Sequence, residues 1–213
     1  MLKYRGIIFD LDGVICHTDV FHYQAWKSLA DRLGIYFDEK INNHLRGVSR
    51  MESLEIVLER YEGKPMSNEE KITVADEKNE IYKSLLMQMD ESYLADDVKQ
   101  TLLTLREKGI RLAIGSSSKN ARLILEQIGL ADFFDAISDG SMIENSKPHP
   151  EVFLLAADMI NLSPAQCLVI EDARAGIEAA IAGGFDSVGM GDAAGDDRAT
   201  YHINEFSEIL AYL

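Results

Sequence analysis

The sequence predicts an α/β fold, a doubly wound, Rossmann-like parallel sheet with an inserted α-helical cap subdomain. Three observations predict it. Short apolar runs alternate with longer helical patterns, glycines stop the helices, and one long segment after the first apolar run carries no strand pattern at all.

Gly6-Ile-Ile-Phe9 reads as a buried strand, and Arg111-Leu-Ala-Ile114, Ala136-Ile137, Cys167-Leu-Val-Ile170 and Ser187-Val-Gly-Met190 complete the set. Helices are expected over Val98–Lys108, Ala121–Ile128, Pro150–Ile160 and Ala173–Ala182, with Gly109, Gly129 and Gly183 as stops. The exception to this rhythm runs from Phe21 to Met89, with at least three helical patterns. Two of them open on capping boxes, Ser49-Arg-Met-Glu52 and Ser67-Asn-Glu-Glu70. The expected division is a core of residues 1–15 and 92–213 and a helical cap of 16–91, standing over the strand ends as a lid.

With 46% hydrophobic and 27% charged residues in 213, the chain can bury a full core. Its 21 basic and 36 acidic residues give a net charge of −15, against the basic footprint of a nucleic-acid binder. An anionic ligand would need a locally built pocket of metal and a few Lys or Arg side chains. Cys16 and Cys167 make no disulfide framework; Cys167 reads as strand filler, and Cys16 has no base obviously paired with it. The strand begins too early to leave room for a signal peptide, and no apolar run reaches membrane-spanning length. The expected setting is the cytoplasm, with no nucleic-acid or membrane partner.

The chemistry-bearing residues follow the strands. Asp10-Leu-Asp12-Gly13 ends the first, and alternation points both carboxylates into one crevice, where they suit a hard cation such as Mg²⁺. An Asx-turn closing a strand explains the same residues when they are taken alone. Ser116-Ser117-Ser118-Lys119-Asn120 opens a helix and reads either as a phosphate cradle or as N-capping. Lys147-Pro148 puts an ammonium at a rigid turn, or merely on the surface. Glu171-Asp172 ends the fourth strand as cation ligands or as a helix cap. Four such clusters beyond different strands are hard to explain as independent caps.

In that order, Asp10-Leu-Asp-Gly-Val14, Ser116 and Lys147 resemble the phosphoryl-transfer set of the haloacid dehalogenase superfamily, over the whole chain. The resemblance implies Asp10 as nucleophile, Asp12 as general acid/base, and Ser116 and Lys147 as holders of the transferring phosphate. Asp10, the Asp12 main-chain carbonyl, Glu171 and Asp172 would hold Mg²⁺. It also implies a cis Lys147–Pro148 peptide bond.

The inserted segment is similar to that of the β-phosphoglucomutase family, through Thr18, His22 and Trp26, then Gly47-Val48-Ser-Arg50, then Lys78-Asn79, with Ser117, Ser118, Lys119 and Asn120 on the core side. By that likeness His22 and Thr18 join the catalytic set, with His22 bonding Asp12 when the lid closes, and the rest bind substrate. The implied substrate is a small-molecule sugar phosphate, handled by a monomer. By spacing alone His22 is an ordinary helix histidine, Trp26 core or sugar wall, Arg50 a solvated first-turn residue and Lys78 a surface lysine. His17, Ser117 and a hinge at Tyr93–Asp97 without Pro-Gly depart from that family's pattern. A phosphatase of the same superfamily, a phospho-switch and a sugar-phosphate sensor are the other readings.

Overall fold

A computed structural model describes residues 3–45 and 48–213. Six parallel strands form one sheet: β1 (Gly6–Phe9), β2 (Arg111–Gly115), β3 (Ala136–Ser138), β4 (Cys167–Glu171), β5 (Asp186–Gly189) and β6 (Tyr201–His202), in the order β3-β2-β1-β4-β5-β6. The sequence reading missed only the last, a two-residue polar strand pairing at the edge. Among the described residues eight α-helices accompany them: α1 (Asp19–Leu33), α2 (Glu39–Asn43), α3 (Arg50–Leu58), α4 (Asn68–Leu86), α5 (Asp96–Glu107), α6 (Ala121–Gln127), α7 (Glu151–Met159) and α8 (Arg174–Ala182).

Alternation along the strands explains why they read as unbroken apolar runs. Ile7, Phe9, Leu112, Ile114, Leu168 and Ile170 face one core with Leu102, Leu105, Ile124, Leu125, Phe206 and Ile209. Ile8, Ala113, Cys167 and Val169 face the other, packed on Val152, Phe153, Ala156, Ala179 and Ala180. A parallel sheet covered on both faces has no polar side to show.

The first four helices, between β1 and α5, bury a core of their own: Trp26, Leu29, Ala30, Ile41, Leu54, Val57, Val74 and Ala75. Both expected capping boxes are formed, Ser49 with Glu52 at the start of α3 and Ser67 with Glu70 at the start of α4.

Strand order and register position the site. β1 pairs with β2 on one side and β4 on the other, with Phe9 level with Ile114 and Ile170. The sheet order reverses there, and a crevice opens beyond the carboxyl ends. Asp10, Ser116 and Glu171-Asp172 are therefore delivered to neighbouring points along that edge.

Candidate active site

Asp10 leaves β1 with its amide bonded to Ile170 O at 2.9 Å, so its side chain starts from a fixed point. Lys147 Nζ bonds both the Asp10 and the Glu171 carboxylates. The lysine is 2% exposed, which overturns the surface reading, and the Lys147–Pro148 bond is cis. Burial works to lower this ammonium, but the charges of Asp10 and Glu171 on either side overcome it and hold it raised. Burial pushes Asp10 up to about 7 against the pull of Lys147, with the Glu171 and Asp12 charges adding to the rise.

Two glycines make room for the β4 carboxylates. A Cβ on Gly13, whose φ is +87°, would lie 2.1 Å from Asp172 Oδ2, and one on Gly176 would lie 1.8 Å from Glu171 Oε1. Glu171 Oε2 accepts from Ala173 N at 2.8 Å, and Ala173, without a side-chain cap bond, is the N-cap of α8. Asp172 is thus not that helix's cap.

Asp12, half-buried, is held by the Thr18 hydroxyl, and Tyr82 Oη donates to Thr18 Oγ1 at 3.1 Å. Burial lifts Asp12 to about 6; the Thr18 bond opposes this and the Asp19 charge assists it. Thr18 is fully enclosed and reaches the site through Asp12 and Tyr82. Cys16 nearby is buried, its thiol raised well above the ordinary range by burial, which removes it as a nucleophile.

On the α1–α4 side, Lys78 is 3% exposed rather than on the surface. Its Nζ sits 3.1 Å from His22 Nδ1 and over the Trp26 and Tyr82 rings, at 4.7 and 4.6 Å from their centroids. Here His22 bonds Lys78, while the bond to Asp12 expected above belongs to a closed lid; accepting at Nδ1 puts the His22 proton on Nε2. Burial, then the Lys78 and Arg50 charges, hold the imidazole well below its usual range and neutral. Burial and the Arg50 charge lower Lys78 to about 7. Trp26 is both core and cavity wall. Arg50, the first residue of α3, pairs with the exposed Asp76 at 3.1 Å.

On the sheet side, Ser116 Oγ accepts from Ser118 N at 3.1 Å, and Ser118 Oγ from Asn120 N at 3.2 Å. Asn120, the N-cap of α6, makes no side-chain cap bond. Its Nδ2 instead donates to Asn79 Oδ1 at 2.9 Å, joining α6 to α4.

One cavity of about 160 Å³ gathers these groups. Asp10, Asp12, His22, Trp26, Val48, Arg50, Lys78, Ser116, Ser117, Ser118, Lys119, Asn120, Lys147, Glu171 and Asp172 all line it. Gly47 lies outside the described residues. Tyr82, Asp19, Asn42 and Ser53 also belong to this wall or its support and were missed by the sequence reading. Tyr82 at least had a signal, standing one turn beyond Lys78 on the same helix face.

Among the described residues no three acidic, imidazole or thiol groups converge tightly enough to form a ready cation cage. The donor set nevertheless fits a hard cation. Five carboxylates line the cavity (Asp10, Asp12, Asp19, Glu171 and Asp172) while one ammonium bridges two of them, and oxygen donors with surplus negative charge are what Mg²⁺ takes.

A sheet-edge carboxylate beside a buried ammonium, with hydroxyls and cations facing it, defines an enzyme of the phosphotransferase or hydrolase kind. A family model of haloacid dehalogenase-like hydrolases matches residues 4–184, and the chain belongs to that family. It is 39% identical to a β-phosphoglucomutase of Bacillus subtilis (strain 168) over 193 residues, 88% of this chain and 83% of the relative. It is 32% identical to fructose-1-phosphate phosphatase YqaB of Escherichia coli (strain K12) over 87% of this chain and 96% of that one. The crystal structure of a β-phosphoglucomutase from Clostridium difficile superimposes with a TM-score of 0.90 at 38% identity, covering 98% of this chain and 93% of the other.

Proposed function

We propose that this enzyme is a β-phosphoglucomutase, interconverting β-D-glucose 1-phosphate and glucose 6-phosphate through an aspartyl phosphate on Asp10 and glucose 1,6-bisphosphate. The observation that carries the reading is one cavity with cationic side chains at two places. Lys147 stands beside Asp10, while Arg50, Lys78 and Lys119 line the remaining wall. A hydrolase of a monophosphate needs one phosphate site; a mutase must hold a bisphosphate in either orientation and needs two.

In this account an Asp10 oxygen attacks phosphorus while Ser116 and Lys147 hold the phosphoryl oxygens. The bond from phosphorus to the donor oxygen breaks as Asp12 gives that oxygen its proton. In the return step Asp12 takes the proton of a sugar hydroxyl, whose oxygen attacks the phosphoryl group and frees Asp10. Thr18 and Tyr82 aim Asp12, and His22 holds Lys78 toward the cavity. Arg50, Ser53 one turn along α3, Ser118, Lys119 and Asn120 grip the distal phosphate, with Val48, Trp26 and Ser117 as walls. Asp10, the Asp12 main-chain carbonyl, Glu171 and Asp172 would hold Mg²⁺, which supplies charge neutralisation at the phosphoryl oxygens. The cap of 16–91 closes over the core of 1–15 and 92–213, in a cytoplasmic monomer with no nucleic-acid or membrane partner.

Arg50→Ala tests the second phosphate site. One charge-assisted contact contributes about 1.5–3 kcal/mol, so sugar-phosphate turnover should fall about 10–150-fold. The pair with exposed Asp76 offsets little of this. Phosphorylation of Asp10 by acetyl phosphate, which has no distal phosphate, should be unchanged. Parental interconversion in Arg50→Ala would favour the second reading, a sugar-phosphate phosphatase, which the likeness to the fructose-1-phosphate phosphatase supports.

A further inference from the structure

The cavity wall on the α1–α4 side holds four neutral hydroxyl or amide side chains beside its cations: Asn42, Ser49, Ser53 and Asn79. Ser49 is committed to its capping box and Asn79 to Asn120. Ser53 stands three residues beyond Arg50 on α3 and was assigned above with the distal phosphate. Asn42 is left without a task.

Asn42 is 9% exposed, and its side chain makes no hydrogen bond among the described residues. A buried amide without a partner is costly, since it forfeits water and gains nothing in return. Yet Asn42 is not among the fully enclosed unpaired groups, which are the hydroxyls of Ser117, Ser138 and Ser187. Asn42 is one of the residues that line the cavity, where a ligand hydroxyl would supply the partner its amide lacks among the described residues. The backbone beneath is fixed: Asp38 caps α2 by accepting from Ile41 N at 2.9 Å, and the Ile41 side chain is packed in the helical core. Trp26 and Leu45, also in that core, line the same cavity.

We infer that Asn42 is a specificity-determining residue, its side-chain amide hydrogen-bonding a secondary hydroxyl of the sugar ring. An amide offers both a donor and an acceptor, which suits a hydroxyl, and it carries no charge to disturb the phosphates on either side. A structural role would show as a bond to a neighbour, and among the described residues there is none. The inference rests on the sugar-phosphate reading and deepens it.

The test compares kcat/KM for β-glucose 1-phosphate and its three ring-deoxy analogues, each lacking one secondary hydroxyl, in the parent and in Asn42→Ala. Losing one neutral hydrogen bond should cost about 3–10-fold on the natural sugar and on two analogues. The analogue lacking the hydroxyl that Asn42 reads should show no loss. Asp10 phosphorylation by acetyl phosphate should be unchanged. Asn42→Leu, close in volume, repeats the comparison should the alanine variant unfold. A uniform loss across all four sugars, or no loss, overturns the role of Asn42 alone. A parent that turns over none of these hexose phosphates overturns the sugar-phosphate reading and this inference with it.

Discussion

Lys78 carries an ammonium into a wall made of two aromatic rings and a neutral imidazole, with Arg50 repelling it from nearby. Burial and that repulsion leave it at about 7, so near neutral pH it is half charged and waiting for an anion. A bound phosphate favours the charged form and raises the pKa. Binding above about pH 7 must then take up a proton, and affinity should fall as pH rises through that point. Lys78→Met should bind sugar phosphate more weakly and lose this slope, as read from KM between pH 6.5 and 8.5. A parental slope retained in Lys78→Met would show that another group takes up the proton. The legible residues differ from this one in kind. Asp10, Ser116, Lys147 and Glu171 follow strands or rigid turns, where sequence position nearly dictates spatial position. Lys78 sits on a charge-rich helix whose outward pattern gives no sign that one lysine turns inward, and the partnership of His22 with it spans 56 residues of sequence. Asn42 and Tyr82 were hidden for the same reason: their place is set by how four helices pack.

At the scale of elements, two matched capping boxes allow a controlled comparison. Glu52 Oε2 accepts from Ser49 N at 2.8 Å, and Glu70 Oε2 from Ser67 N at 2.7 Å. Both are exposed, and removing either carboxylate should lower stability by about 0.3–1.5 kcal/mol. Their positions relative to the cavity differ. The box at Ser49 sets the first residue of α3, which is Arg50, while Ser67 and Glu70 line no part of the cavity. Glu52→Ala should therefore raise KM for sugar phosphate, and Glu70→Ala should not, although thermal unfolding shifts similarly in both. Equal KM values in the two variants would separate the start of α3 from phosphate handling. These boxes were readable because each needs only four residues and a hydroxyl. β6 was not, since its two residues have no apolar pattern and owe their strand geometry to pairing with β5.

Across the whole molecule, a net charge of −15 repels anions while one interior cavity attracts them. The two are compatible because Lys147 and Lys78 are buried and Arg50 half-buried, where solvent screens them least. In the proposed account the sheet supplies the reacting carboxylate from its switch point, and the helices between β1 and α5 supply a second cationic wall, joined to the sheet side through Asn79 and Asn120. That double-ended cavity is the reason for reading a mutase rather than a hydrolase. The most direct test is incubation of the parent enzyme with β-glucose 1-phosphate, Mg²⁺ and a trace of glucose 1,6-bisphosphate, with glucose 6-phosphate and free phosphate followed together. The account predicts stoichiometric glucose 6-phosphate with little free phosphate, and neither product from Asp10→Asn. Free phosphate released in step with loss of substrate, without glucose 6-phosphate, would contradict it.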